Sequence, residues 1–118
     1  MQNYKDLKVW VKAHEFALSV YTVTQNFPKE EVYGLTSQLR RAAVAIAANI
    51  AEGCGKKTQS DFANFLNISL GSANESDYYI LLAKDLSYIK PDNFLSLSAH
   101  INEIKAMLIN LITKVRQG

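Results

Sequence analysis

The sequence predicts an all-α protein, folded as an antiparallel up-down-up-down four-helix bundle. Three observations predict it. Apolar residues recur in steps of three and four along four long segments. Both prolines, Pro28 and Pro91, and two of the five glycines fall in the breaks between those segments. No useful length of chain alternates apolar and polar residues, so no strand is predicted. Long helices joined by short connections pack as antiparallel neighbours, which gives the bundle its topology. The 118 residues are 48% hydrophobic, enough for a single domain over residues 1–118 with its own core.

The first helix is expected from about Asp6 to Gln25. Val9, Ala13, Phe16, Val20, Val23 and Phe27 make a seam with steps of 4, 3, 4, 3 and 4, widened by Trp10, Ala17 and Tyr21. Pro28 follows and lacks the N–H a continuing helix needs. The second helix carries Leu35, Leu39, Ala42, Ile46 and Ile50. Beside them Ala43, Ala47 and Ala51 form a ridge of small side chains that lets a neighbouring helix approach closely. Gly53 and Gly55 are expected to terminate it.

The third helix is expected to start at Thr58, whose hydroxyl can cap the N–H of Asp61. It carries two stripes. One is Phe65, Ile68, Ser72, Glu75, Tyr79, Leu82 and Leu86; the other is Phe62, Leu66, Ser69, Ala73, Ser76, Ile80 and Ala83. Both are apolar at the ends and small or polar in the middle, which predicts cover by its own bundle and by another subunit. The fourth helix has the cleanest seam, Phe94, Leu97, Ile101, Ile104, Leu108, Leu111 and Val115.

Composition excludes more than it assigns. Thirteen Lys and Arg against 11 Asp and Glu leave a net charge of +2, so any polyanion site must come from local patches. The single cysteine, Cys54, excludes an internal disulfide and a multi-cysteine metal site. No run approaches the ~20 apolar residues that span a bilayer. No apolar run follows the charged N-terminus, so a cytoplasmic protein with no membrane partner is expected.

No catalytic constellation emerges, and a non-enzyme without cofactor or metal is expected. Gly53-Cys54-Gly55-Lys56-Lys57-Thr58 resembles a phosphate-binding loop only superficially. Ile50 stands where the first glycine is needed, and a helix stands where a strand is needed. The segment reads as a helix-breaking turn with exposed lysines and an incidental loop thiol. His14 and His100 each lack a set of metal ligands, Glu103 alone standing three residues after His100. Glu75 sits on a seam, where a carboxylate needs a partner; Arg40 and Arg41 of the second helix are the natural candidates, and Arg40 is the one expected to form a structural ion pair with it.

The remaining cations suggest a surface. Lys5, Lys8 and Lys12 recur at three and four, Arg40 and Arg41 are adjacent, and Lys56 and Lys57 share a turn. Repeated by oligomer symmetry, these residues would make an extended basic surface for RNA backbone phosphates. The plainer reading is an ordinary solvated face, with Asp6, Glu15 and Asp61 interspersed. The six tyrosines are expected to pack between helices or subunits, hydroxyls at the wet edge.

Several blocks resemble a bacterial family. They are Tyr4-Lys5-Asp6-Leu7-Lys8-Val9-Trp10, Phe27-Pro28-Lys29-Glu30-Glu31, Tyr33-Gly34-Leu35-Thr36-Ser37-Gln38-Leu39-Arg40-Arg41-Ala42-Ala43, Asn49-Ile50-Ala51-Glu52-Gly53 and Leu70-Gly71-Ser72. In this order they are similar to the proteins encoded in intervening sequences of 23S rRNA genes, also labelled the S23 ribosomal protein family. The resemblance runs from about Tyr4 to Ile89, with the fourth helix agreeing in length and pattern. It implies a four-helix bundle assembled as a homopentamer. A relative, the accessory protein of diversity-generating retroelements, is a basic pentamer that binds nucleic acid and a reverse transcriptase. The family often has Ser-Ile-Pro where this chain has Ala45-Ile46-Ala47, which implies a straighter second helix here. Arginines are frequent at the turn that holds Lys56 and Lys57. Taken together, the expectation is a non-enzymatic oligomeric scaffold that binds RNA. The rival is a protein–protein adaptor whose oligomeric face docks another protein.

Overall fold

The computed structural model describes residues 2–118 and contains four long helices: α1 (Lys8–Thr24), α2 (Leu35–Cys54), α3 (Gln59–Asp85) and α4 (Pro91–Gln117). Short 3₁₀ turns at Tyr4–Asp6 and Lys29–Glu31 precede α1 and α2. There is no strand among the described residues. α1 packs on α2 and α4, and α3 packs on α2 and α4, so the four helices close a square. Cross-helix pairs run in opposite directions along three edges, which leaves α1 and α2 antiparallel as well; on the α3–α4 edge Asp77 meets Lys105 and Lys84 meets Phe94. Ser69 meets Ile46 and Glu75 meets Arg41. Lys12 meets Glu103 and Phe16 meets His100. The topology is therefore up-down-up-down, and the particle measures 45 × 24 × 20 Å.

The predicted seams form the core. Phe16 and Val20 of α1 are buried with Leu39, Ile46 and Ile50 of α2. Leu66 and Ile80 of α3 and Ile101, Ile104 and Leu108 of α4 complete the interior. Of the two α3 stripes, the one from Phe62 to Ala83 is wholly buried; the one from Phe65 to Leu86 runs along the rim. The small residues in mid-α3 bring α2 close. Ser69 Oγ donates 2.8 Å to the Ile46 carbonyl of α2, and Ser76 Oγ donates 2.9 Å to Ser72 O, so both buried hydroxyls are satisfied.

Boundaries differ from expectation for local reasons. Asn3 Oδ1 accepts from Lys5 N and caps the first 3₁₀ turn, and extended Leu7 separates that turn from α1. Gly53 lies inside α2 rather than ending it. A Cβ there would stand 2.9 Å from Phe65 Cβ and 3.0 Å from Phe62 Cδ1, so glycine serves the close approach of α3. Cys54 is the last residue of α2 and 3% exposed, a core side chain rather than a loop thiol. α2 is unbroken through Ala45-Ile46-Ala47, as the absence of proline there implies. Thr58 caps α3 as expected, its Oγ1 accepting from Asp61 N at 3.0 Å. α3 closes with a full Schellman pair, Tyr88 N to Ala83 O and Ser87 N to Lys84 O, and Ser87 takes the left-handed φ of 64°.

Candidate nucleic-acid interface

The antiparallel square brings the start of α1, the end of α2, the start of α3 and the end of α4 to one end of the bundle. Gln2 N donates to Cys54 O, joining the N-terminus to the α2–α3 turn. Lys8 and Lys114 flank a groove of about 280 Å³ between α1 and α4. Lys5, Lys8, Lys56 and Lys57 therefore share this end, with Lys114 and Arg116 of α4 beside them. None of these six has a carboxylate within 4 Å among the described residues. Lys56 Nζ lies 4.9 Å from the centre of the Phe65 ring.

The other expected cations separate from this group. Lys5 belongs to the 3₁₀ turn, so it does not share an α1 face with Lys8 and Lys12; its Nζ lies 5.8 Å from the Tyr4 ring. Lys12 bridges to Glu103 of α4 at 3.5 Å. Arg40 and Arg41 sit about 22 Å from Lys56 along the bundle, 15 residues at helical rise. The expected basic residues do not form one continuous surface within a single chain.

The ion pair expected between Glu75 and Arg40 is not formed; Glu75 pairs with Arg41. Successive helical residues point about 100° apart, so Arg41 reaches α3 while Arg40 turns to α1. Gln38 Oε1 also accepts from Arg41, and Tyr79 OH donates to Glu75 Oε2 at 2.9 Å. The bonds to Glu75 push both the Arg41 and the Tyr79 pKa up. Arg40 instead donates from Nε to Thr24 Oγ1 at 2.7 Å and lies over the Tyr21 ring at 4.6 Å.

Tyr4 meets Trp10 edge-on at 4.9 Å, and Trp10 stacks on His14 at 5.0 Å. His100 meets Phe16 edge-on at 5.6 Å, and its buried Nε2 has no hydrogen-bond partner among the described residues. Burial pushes the Cys54 thiol pKa up, which disfavours the nucleophilic thiolate. No cluster of three or more His, Cys, Asp or Glu among the described residues could hold a metal ion. No described helix is long and apolar enough to cross a membrane.

Lys114 and Arg116 escaped the sequence reading. Their signal was topological: the last turn of a fourth antiparallel helix returns beside the first turn of the first.

The comparisons agree with this architecture. A crystal structure of a protein of unknown function, from the S23 ribosomal protein family of Bacteroides thetaiotaomicron, superimposes with a TM-score of 0.82. It is 30% identical and aligns over 89% of this chain and 95% of its own. No curated protein matches the sequence. Residues 5–110 match the family described as 23S rRNA-intervening sequence protein, and the chain belongs to that family.

Proposed function

We propose that this protein is a non-enzymatic oligomeric scaffold that binds RNA through backbone phosphates at the basic end of the bundle. The carrying observation is the gathering of Lys5, Lys8, Lys56 and Lys57, without carboxylate partners among the described residues, beside Lys114 and Arg116. Ammonium groups on a turn and on helix termini suit non-specific phosphate contacts; Lys serves as a point charge and reads no base. The family resemblance implies a homopentamer. One face of α3 supports assembly. Between Asp61 and Lys84 its exposed positions are Asn64, Asn67, Ile68, Gly71, Asn74, Tyr78 and Leu81, all uncharged. Gly71 has open space where a Cβ would stand, so nothing within the chain requires glycine there.

The test is a fluorescence-anisotropy titration of a labelled 23S-type RNA stem-loop at low and physiological salt. Binding is expected to saturate, to weaken as salt rises, and to be lost in Lys56→Glu/Lys57→Glu. Light scattering on the same sample is expected to give a mass five times the 13.2 kDa chain. Absence of RNA binding at low salt would overturn the scaffold reading.

A protein–protein adaptor is the second reading. It draws on a groove of about 420 Å³ between α1 and α2, walled by Tyr4, Trp10, His14 and Tyr21. Leu18 and Val44, at its rim, are 56% and 43% exposed. Binding through this groove would hardly respond to salt.

A further inference from the structure

We infer that the corner where α1 turns into α2 is a binding site for a phosphate monoester. It is separate from the basic end and does not rest on the RNA reading. An open cavity of about 410 Å³ lies there, lined by Thr24, Phe27, Pro28, Lys29, Val32, Thr36 and Arg40 among others. Three observations point to an anion.

First, Arg40 is half-buried and has no carboxylate within 4 Å among the described residues. A guanidinium removed from water without a counter-ion is costly, which favours an anion arriving from outside. Its neighbours orient it without neutralising it. Nε donates to Thr24 Oγ1 at 2.7 Å, one Nη donates to Tyr21 O at 3.5 Å, and the group lies over the Tyr21 ring. Thr24 is fixed in turn, since its Oγ1 donates to Val20 O at 2.7 Å. A guanidinium has five N–H donors, so several remain for a ligand.

Second, Thr36 is 7% exposed and lines the cavity. It stands one turn before Arg40 on the same face of α2. It lies in the first turn of that helix, where backbone N–H groups favour negative charge. Third, Lys29 lines the cavity and also lacks a carboxylate within 4 Å among the described residues. Glu31 of the same turn is engaged elsewhere: Leu35 N and Tyr88 OH each donate to it at 3.0 Å.

Two cations and a hydroxyl fit a dianion with three acceptor oxygens better than a single carboxylate. Phe27, Pro28 and Val32 give the cavity an apolar wall for the organic part of the ester.

The experiment titrates the full-length protein with phenyl phosphate and follows backbone amide resonances, with inorganic phosphate and benzoate as parallel probes. Saturable shifts are expected at Thr24, Val32 and Thr36. Phenyl phosphate is expected to bind tighter than inorganic phosphate, and benzoate at least tenfold weaker. Arg40→Gln is expected to weaken phenyl phosphate about tenfold or more, and Thr36→Val about fivefold. Gln59→Ala, at the far end, is expected to change nothing. A 5′-phosphorylated oligonucleotide compared with its 5′-hydroxyl form identifies the source. A gain from the phosphate that Arg40→Gln abolishes assigns the site to RNA ends; no gain assigns it to small esters. Shifts confined to Lys56 and Lys57, or equal binding of benzoate, would overturn the proposal. Unchanged resonances outside the cavity in Thr36→Val, which keeps the side-chain shape, separate lost binding from lost folding.

Discussion

The α2–α3 edge and the α1 edges of the square solve the same packing problem in opposite ways. Across α2–α3 the contacting residues are small: Gly53, Ser69 and Ala73 bring backbones so close that Ser69 bonds a carbonyl of the facing helix. Along α1 rings take part in the contact, Phe16 meeting His100 of α4 edge-on. Five cavities border α1 or the turn that follows it, and α3 lines none of these five. Rings that hold two helices apart leave gaps beside smaller neighbours, such as Ala17, Ala47, Ala48 and Ala51 in the α1–α2 groove. The tight edge holds the bundle together, while the open edges leave room for ligands.

A matched pair of substitutions tests this most strongly. Ser69→Leu places extra methyl groups where a backbone carbonyl lies at hydrogen-bond distance. Overpacking and the lost bond are expected to cost about 3 kcal/mol together. Ser19→Leu, in the groove between α1 and α4, is expected to change stability by less than about 0.5 kcal/mol. Urea denaturation at one fixed protein concentration measures both. Equal losses would break the comparison.

The two helical glycines offer a finer test with opposite signs. Alanine at either gains about 1 kcal/mol in helix propensity. At Gly53 its Cβ meets Phe65 and Phe62, so a net loss of about 1 kcal/mol is expected. At Gly71 nothing stands within 4 Å, so Gly71→Ala is expected to stabilise the isolated chain by about 1 kcal/mol. If α3 also forms the subunit contact, the same substitution lowers the mass seen by light scattering. Stabilisation by Gly53→Ala would show that the α2–α3 edge is looser than its distances indicate.

His100 probes the open side. Its Nε2 is buried beside Phe16 without a partner among the described residues. An unsatisfied buried polar atom costs stability, so His100→Leu is expected to gain about 1 kcal/mol in the same denaturation assay. A loss instead would mean that the imidazole is satisfied in solution, by water or by a ligand in the adjoining groove.

The difference between the edges explains what the sequence could reveal. The core seams were legible because burial imposes a period of 3.6, and each predicted seam residue of α2 is buried. The roles of single residues were not legible. Gly53 reads as a helix stop until Phe62 and Phe65 are placed against it. Arg40 and Arg41 are equivalent in sequence, and only the 100° between them assigns one to α1 and the other to Glu75. The corner cavity was missed because Thr24, Lys29 and Thr36 lie on three different elements. One signal was present: Thr24 follows Val20 by four on the buried face of α1, where an apolar residue would be usual.

The smallest effect on stability is expected from the ion pair at the rim of the tight edge, and it is the easiest to see spectroscopically. Arg41 and Glu75 side chains are 52% and 35% exposed, so Glu75→Gln is expected to cost less than about 1 kcal/mol. Tyr79 reports on the pair directly, because its hydrogen bond to Glu75 raises its pKa. Tyr88 is raised in the same way by Glu31, at the turn between α1 and α2. A group whose pKa rises on folding adds stability fully present below its unfolded value, about 10 for tyrosine. That stability disappears as pH climbs through the raised folded value. Ultraviolet titration should therefore show Tyr79 and Tyr88 ionising above the ordinary tyrosine range. Glu75→Gln is expected to return only Tyr79 to the ordinary range, and Glu31→Gln only Tyr88. If one substitution shifts both, the tight edge and the open corner communicate through the end of α3, and the two regions are not independent.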